Sequence, residues 1–230
     1  MKEKQKKEKK RAEIIIVLDR SGSMSSIHRQ TIDGFNMFID EQQDNGISTR
    51  VTLVQFDHEY QMLYEAKKIK KVKPLNESTY VPRGSTALLD AIGQTIKLTR
   101  KRFEKQKRGI PDKTIFVIIT DGYENSSTIY TKKKVLKKIK KMEQNQSWEF
   151  VYLGANQDAI AEASTIGIVK ENAMAFADDS NGVFDMFLSL SENMVNNIKL
   201  NKNISFTEEQ RKKQVRTNEH DSDQQHDLED

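Results

Sequence analysis

The chain has no cysteine among its 230 residues, and it lacks the features that mark secreted or membrane proteins. Without cysteine no disulfide framework can form, which argues against a small secreted scaffold. The basic start, Met1–Lys7, is not followed by an apolar core of signal-peptide type. The apolar run Ile14–Leu18 is too short to span or target a membrane. We therefore expect a cytoplasmic protein with no membrane partner.

The length fits one large domain with tails better than two domains. Charge is unevenly distributed, because residues 2–11 carry seven Lys/Arg and two Glu, whereas residues 217–230 carry six Asp/Glu and no Lys/Arg. We predict a basic, disordered leader at 1–11 and one folded domain at 12–203. A polar, acidic-ended and disordered tail is predicted at 204–230, where apolar residues become too sparse to form a core.

The most informative motif is D-x-S-x-S, which follows an apolar run directly and supplies Asp19, Ser21 and Ser23. The run Glu13–Leu18 predicts a strand buried on both faces, so the motif falls in a turn at the carboxyl edge of the sheet. Open α/β sheets bind their ligands at that edge. One carboxylate and two hydroxyls suit a hard cation such as Mg²⁺ or Mn²⁺ better than zinc or copper.

Two further motifs are predicted to reach the same edge. G-S-T precedes a helical pattern and supplies Thr86, while T-D-G follows the apolar run 115–119 and supplies Asp121. On its own, D-x-S-x-S is also typical of a helix N-cap cluster, but the three motifs together favour a metal site. The predicted metal ligands are Asp19, Ser21, Ser23, Thr86 and Asp121.

The order of apolar runs and amphipathic segments predicts a doubly wound α/β fold with a mostly parallel central sheet. One edge strand is expected to be antiparallel, because the turn between Arg50–Phe56 and Tyr60–Ala66 is too short for a helical crossover. His58 lies on that turn and is expected to be exposed. Further strands are predicted at 13–18, 113–120, 149–153 and 173–176, and helices at about 25–45, 88–105, 130–144, 155–164 and 183–200.

The motifs D-R-S-G-S-M, G-S-T-A-L-L-D-A and I-I-T-D-G resemble the metal-ion-dependent adhesion site of a von Willebrand factor type A domain. The resemblance covers about residues 13–200 and is to the intracellular bacterial and phage branch rather than to a secreted adhesin. It implies a Rossmann-like fold and a complete five-residue site. It also implies that Ser21 and Ser23 bind the cation directly, that Thr86 binds directly or through water, and that the two aspartates act mainly through bridging water.

Such a site is suited to recognition. Neutral hydroxyl ligands leave much of the cation's charge unsatisfied, and at least one coordination position stays open for an outside ligand. A carboxylate completes this shell best, so we expect a metal-dependent protein-interaction module that binds an Asp or Glu of its partner and is not an enzyme. The resemblance implies an adaptor or assembly partner, for example of an AAA+ ATPase.

Two alternatives remain open. A metal-dependent hydrolase would use the open site to activate water, but the sequence offers no evident general base. Glu124 is more typical of a solvated loop acid than of a base. The histidines lie on a helix start, a turn and the acidic tail, at His28, His58, His220 and His226.

The second alternative is a nucleic-acid-associated protein. Basic blocks at 97–108 and 132–141 are typical of such surfaces, but also of the solvated faces of amphipathic helices. The blocks contain no known nucleic-acid motif and no interleaved aromatic residues, which favours solvated faces.

Overall fold

The computed structural model describes residues 10–43, 47–106, 108–144, 147–155 and 158–214. Six strands form one sheet in the order β3-β2-β1-β4-β5-β6. All neighbouring pairs are parallel except β2 and β3, which form the antiparallel edge. The predicted fold class is therefore confirmed. The strands are β1 (Arg11–Asp19), β2 (Ser48–Phe56), β3 (Tyr60–Lys68), β4 (Lys113–Thr120), β5 (Trp148–Ala155) and β6 (Ala173–Phe176).

In the described residues, five α-helices cover the two faces of the sheet, and the helical segment at 208–214 follows them. The first and last helices pack against each other on one face, whereas the second, third and fourth cover the other. The helices are α1 (His28–Gln43), α2 (Leu88–Lys105), α3 (Lys132–Glu143), α4 (Ala159–Thr165) and α5 (Ser180–Leu200).

The central strand β1 contributes to both hydrophobic cores. Ile14, Ile16 and Leu18 belong to the core beneath α1 and α5, while Ile15 and Val17 belong to the core beneath α2 and α3. All five side chains are fully buried, and each such burial stabilises the fold by about 1.5–3 kcal/mol. The connection after β1 crosses one face and the connection before β4 crosses the other. The sheet therefore has its topological switch point between these two strands, and its ligand-binding crevice at their carboxyl ends.

Most predicted elements occur where the sequence places them. The bounds of α2, β4 and β6 match the prediction, and the β2–β3 hairpin forms with His58 exposed on its turn. The predicted start of the fourth helix at Ala155 is wrong, because Ala155 still pairs with Phe176 and belongs to β5. The predicted end of α1, near residues 45 and 46, lies outside the described residues.

The predicted domain end at residue 203 is wrong. Ile204 and Phe206 are 1% and 5% exposed and pack into the core beneath α1 and α5. The backbone N–H of Ile204 donates to Glu149, 2.9 Å away, and a helical segment follows at 208–214. Besides these two apolar side chains, hydrogen bonds from Phe206 N–H to the Glu171 carbonyl and from Ala177 N–H to Gln214 Oε1 hold this segment, although its mean apolar content is low. The tail predicted at 204–230 can therefore begin no earlier than residue 215.

The predicted leader also ends too late, because Arg11 is the first residue of β1 and pairs with Ser48. Residues 1–9 and 215–230 lie outside the described chain, so disorder of the two ends stays a prediction. Within the described ranges, no helix is both long enough and apolar enough to cross a membrane.

Candidate metal site

Three loops meet at the carboxyl edge of the sheet, next to β1 and β4. The loop after β1 is joined to the loop before α2 by two backbone hydrogen bonds, from Gly22 N–H to Gly84 O at 3.0 Å and from Arg83 N–H to Arg20 O at 2.8 Å. Gly84 has φ of 67°, a conformation that glycine adopts without strain, and this permits the close approach of the two loops.

The three predicted hydroxyl ligands converge on one point. Ser21 Oγ and Ser23 Oγ lie 3.2 Å apart. A methyl group placed on Gly122 would lie 3.1 Å from Thr86 Oγ1, 3.4 Å from Ser23 Oγ and 3.7 Å from Ser21 Oγ. The hydroxyls thus line a small cradle that a side chain at position 122 would fill. The glycine of T-D-G is the only sequence signal for Gly122, and its role in the cradle is evident only from the structure.

The two predicted carboxylates lie behind and beside these hydroxyls. Asp19 is fully buried and accepts hydrogen bonds from Ser21 N–H and Thr120 Oγ1, both at 2.6 Å. Burial raises the pKa of Asp19 to about 7. Asp121 accepts a hydrogen bond from Ser23 Oγ at 2.7 Å. Burial also raises the pKa of Asp121, and the charge of Asp178 raises it further.

The donor set fits a hard divalent cation. Three hydroxyl oxygens face one point, and two desolvated carboxylates nearby supply negative charge that a cation would compensate. In the described part of the chain, no group of three or more His, Cys, Asp or Glu is arranged to hold a metal. A metal at this edge would therefore depend on the hydroxyls as well as on the aspartates.

A buried ion-pair cluster, which sequence reasoning missed, joins the loops beneath the site. Asp57 is fully buried and lies 2.8 Å from Arg83 Nε and 3.1 Å from Arg20 Nε. Its backbone carbonyl accepts from Ala87 N–H at 3.0 Å. Arg20 sits within the D-x-S-x-S loop and Arg83 in the loop that leads to Thr86. Asp57 therefore holds both ligand-bearing loops against the end of β2.

Tyr80 also supports the site, and the sequence does not indicate this role. Its ring is fully buried, and its hydroxyl donates to the backbone carbonyl of Asp19 at 2.7 Å. The Tyr80 carbonyl lies 2.7 Å from His28 Nε2, so the imidazole of His28 is engaged in a hydrogen bond beneath the site. The residue stands in a lysine-rich segment whose sequence gives no sign of burial.

Glu124 and Asn125, the two polar residues that follow T-D-G closely, both form hydrogen bonds that order the surrounding loops. The carboxylate of Glu124 accepts from Leu89 N–H at the start of α2, and from Ser126 N–H, Ser127 N–H and Ser127 Oγ. Asn125 Oδ1 accepts from the backbone N–H of Thr86 at 2.8 Å. Glu124 thus caps a helix and orders its own loop, while Asn125 positions the loop that carries Thr86.

Comparison with known proteins identifies the fold family. The family model for the von Willebrand factor type A domain matches residues 13–189. No curated protein matches the chain significantly in sequence. The proximal thread matrix protein 1 of the mussel byssus has a similar structure, with a TM-score of 0.57 and 16% identity over 81% of this chain and 48% of its own. This chain thus spans about half the length of that protein.

Two further structures show the same fold. The von Willebrand factor domain of the pilus tip protein Mfa5 from Porphyromonas gingivalis has a TM-score of 0.57 and 10% identity over 83% of this chain and 97% of its own. The mussel protein has also been solved with a zinc-occupied metal-ion-dependent adhesion site, with a TM-score of 0.53 and 18% identity over 81% of this chain and 45% of that one. At these identities the likeness shows the fold alone. The match of the family model shows that the chain belongs to the von Willebrand factor type A domain family.

Proposed function

We propose that the chain is a divalent-metal-dependent protein-interaction module with a complete metal-ion-dependent adhesion site. In this proposal Ser21, Ser23 and Thr86 hold Mg²⁺ or Mn²⁺, and Asp19 and Asp121 support the shell. The main observation in support is that the three hydroxyls converge on the point above Gly122 from loops that lie far apart in the sequence. The cation would present a positive charge at the surface, and an outside ligand would complete its coordination shell.

The surroundings of the site favour an acidic protein partner. Ser23 is exposed, so a ligand can approach the cation from outside. Tyr123 follows Gly122 directly and is 62% exposed, and Val81 in the neighbouring loop is 47% exposed. An exposed aromatic ring and an apolar side chain beside a charged centre are typical of a protein interface. The partner would bind the cation with an Asp or Glu and cover these side chains.

The same geometry supports binding rather than hydrolysis. Glu124 makes four hydrogen bonds with neighbouring backbone and side-chain groups, and His28 is engaged by Tyr80. A general base needs a free lone pair within reach of the attacking water. We therefore include in the proposal that the protein is not an enzyme. An AAA+ ATPase as partner and an intracellular location rest on the family resemblance alone.

Metal titration tests the first half of the proposal. Mn²⁺ binding, measured by calorimetry, should be weakened at least tenfold in Ser23→Ala. Ser26→Ala removes a hydroxyl from the same loop that only bonds the Ser23 carbonyl, and it should bind like the wild type. Equal affinities for all three proteins would refute the site.

Affinity capture tests the second half. The immobilised protein is compared in Mg²⁺, in EDTA and as Asp121→Ala, and a partner must be retained only in the first case. Replacing the partner's critical Asp or Glu by its amide should reproduce the loss, because a neutral oxygen compensates the cation far less well. A partner retained equally in EDTA would place the interaction surface elsewhere.

A further inference from the structure

Two basic segments that are separate in the sequence lie side by side in the fold. Helices α2 and α3 pack against each other on one face of the sheet. α2 begins beside the metal-site loops, and its basic residues lie in its second half, away from that edge. We call the residues Lys97, Arg100, Lys138 and Lys141 the basic seam.

The contact between the helices fixes the geometry of the seam. A Cβ on Gly93 would lie 2.4 Å from the ring of Tyr130, so this ring rests on the backbone of α2 just ahead of α3. Lys138 Nζ lies 5.3 Å from the centroid of the same ring. Lys97 and Arg100 follow Gly93 by four and seven residues and thus lie on the same stripe of α2. The cations of the two helices therefore lie close together, and Arg100, Lys97 and Lys141 all act electrostatically on Lys138.

The charges of the seam are largely unbalanced. Partial burial lowers the pKa of Lys138, and the positive charges of Arg100, Lys97 and Lys141 lower it further. Arg100 has an exposed ion pair with Glu104 at 3.2 Å. Within the described ranges the other three seam residues form no ion pair. Gathering like charges in this way costs free energy, which an anionic ligand would offset.

The surface around the seam indicates the kind of partner. A protein partner normally buries exposed apolar or aromatic side chains. None of the large apolar residues exposed in the described chain lies within α2 or α3, and Ile129 directly precedes Tyr130 ahead of α3. A surface with many cations and few apolar neighbours suits the repeated phosphates of a nucleic acid, which are bound through charge without reading the bases.

We propose that the basic seam binds the phosphate backbone of a nucleic acid, independently of sequence and of the metal. Lys134 and Lys141 flank Lys138 on the same stripe of α3 and extend the positive surface, whereas Lys132 is paired with Glu162 at 2.9 Å. At 1.5 Å per residue the stretch from Lys134 to Lys141 is about 10 Å long, which matches about three base-pair steps of a duplex. The seam is thus long enough to contact several phosphates at once.

The test measures binding of the full chain to a labelled DNA duplex of about 30 base pairs by fluorescence anisotropy. The affinity is determined at a series of salt concentrations from about 50 mM upward. A seam variant is compared with a control variant that removes the same charge from exposed lysines near β3. The seam variant is Lys97→Gln, Arg100→Gln and Lys138→Gln, and the control is Lys70→Gln, Lys71→Gln and Lys73→Gln.

We expect the seam variant to bind at least tenfold more weakly and to lower the slope of log affinity against log salt by about two to three. The control should change affinity by less than about threefold, because its charges lie outside the seam. EDTA and Asp121→Ala should leave DNA binding unchanged. The DNA-binding test can therefore succeed or fail whether or not the proposed metal site is correct.

Three outcomes would overturn the proposal. The first is a wild-type chain that does not bind DNA at low salt. The second is an equal loss in the seam and control variants, which would indicate unspecific attraction to net charge. The third is tighter binding of polyglutamate than of DNA at equal charge concentration, which would indicate an acidic protein partner instead.

Discussion

Replacing Gly122 by alanine tests the candidate metal site directly, because it adds one methyl group and removes no ligand. The new carbon would lie 3.1 Å from Thr86 Oγ1, which is tighter than ordinary contact, and 3.4 Å from Ser23 Oγ, where ordinary contact begins. The Thr86 hydroxyl would have to move by a few tenths of an ångström, whereas Mg²⁺ demands near-ideal geometry at about 2.0–2.1 Å from its ligands. We expect metal affinity to fall at least tenfold.

The consequence for stability can be worked out from mass action. At a metal concentration of about 100 times the wild-type Kd, binding stabilises the fold by about 2.7 kcal/mol, and a tenfold weaker site leaves about 1.4 kcal/mol. For a chain of this size the difference corresponds to about 3–5 °C in Tm. In EDTA the variant should stay within about 1 kcal/mol of the wild type, because the added methyl restricts the unfolded chain and so offsets some of the crowding.

Gly22→Ala is the matched control. It adds the same methyl group to a site loop, but its nearest neighbour is the Gly84 carbonyl at 3.4 Å and it does not approach the hydroxyls. Thermal melts of the three proteins, each in EDTA and in Mn²⁺, give the answer. If Gly122→Ala gains as much from Mn²⁺ as the wild type does, the three hydroxyls do not enclose the cation.

Three more predictions concern the core, the ion-pair cluster and pH. Phe206→Ala should lower the free energy of unfolding by about 3–5 kcal/mol in urea titrations, whereas Leu200→Ala, at a 59% exposed position, should change it by less than about 0.5 kcal/mol. Asp57→Asn leaves the buried Arg20 with only the exposed Glu59, 3.9 Å away, as a counter-charge, and should cost about 3 kcal/mol while weakening Mn²⁺ binding; unchanged metal affinity would show that Asp57 does not hold the loops. Burial raises the pKa of Asp19 from 3.8 to about 7, so its proton stabilises the metal-free fold at low pH, and this contribution is lost as pH rises through 7. Apparent Mn²⁺ affinity should therefore rise between about pH 6 and 8, and Asp19→Asn should flatten the dependence of Tm on pH in EDTA.

The sequence predicts the elements that rest on local pattern. β4 is a continuous apolar run that ends at T-D-G, and α2 is an amphipathic stretch that begins after G-S-T, so their bounds coincide with the prediction. The five predicted site residues are brought to one edge of the sheet because each follows or precedes such an element. That these residues bind a metal remains a prediction.

The features that the sequence does not predict depend on partners far away in the chain. Tyr80 is buried because its ring packs into the core beneath α1 and α5, where its hydroxyl donates to the carbonyl of Asp19, 61 residues earlier. Asp57 is held by Arg20 and Arg83, which lie on opposite sides of it in sequence. Phe206 packs into a core formed by elements that precede it. No periodicity within the surrounding residues distinguishes these side chains from solvated ones.

The hydrogen bonds of the site also indicate different roles for its hydroxyl and carboxylate groups. Ser23 donates its hydroxyl proton to Asp121, so one lone pair of its oxygen accepts from Ser21 Oγ at 3.2 Å and the other is available to a cation. Asp19 accepts from Thr120 Oγ1 with one carboxylate oxygen and from Ser21 N–H with the other, so its role is to orient the loop and supply charge. Partners that hold a ligand in this way set both its orientation and its basicity. The arrangement thus supports the proposal that hydroxyls would contact a bound cation directly and carboxylates indirectly, which would leave the cation positive enough to attract an outside acid.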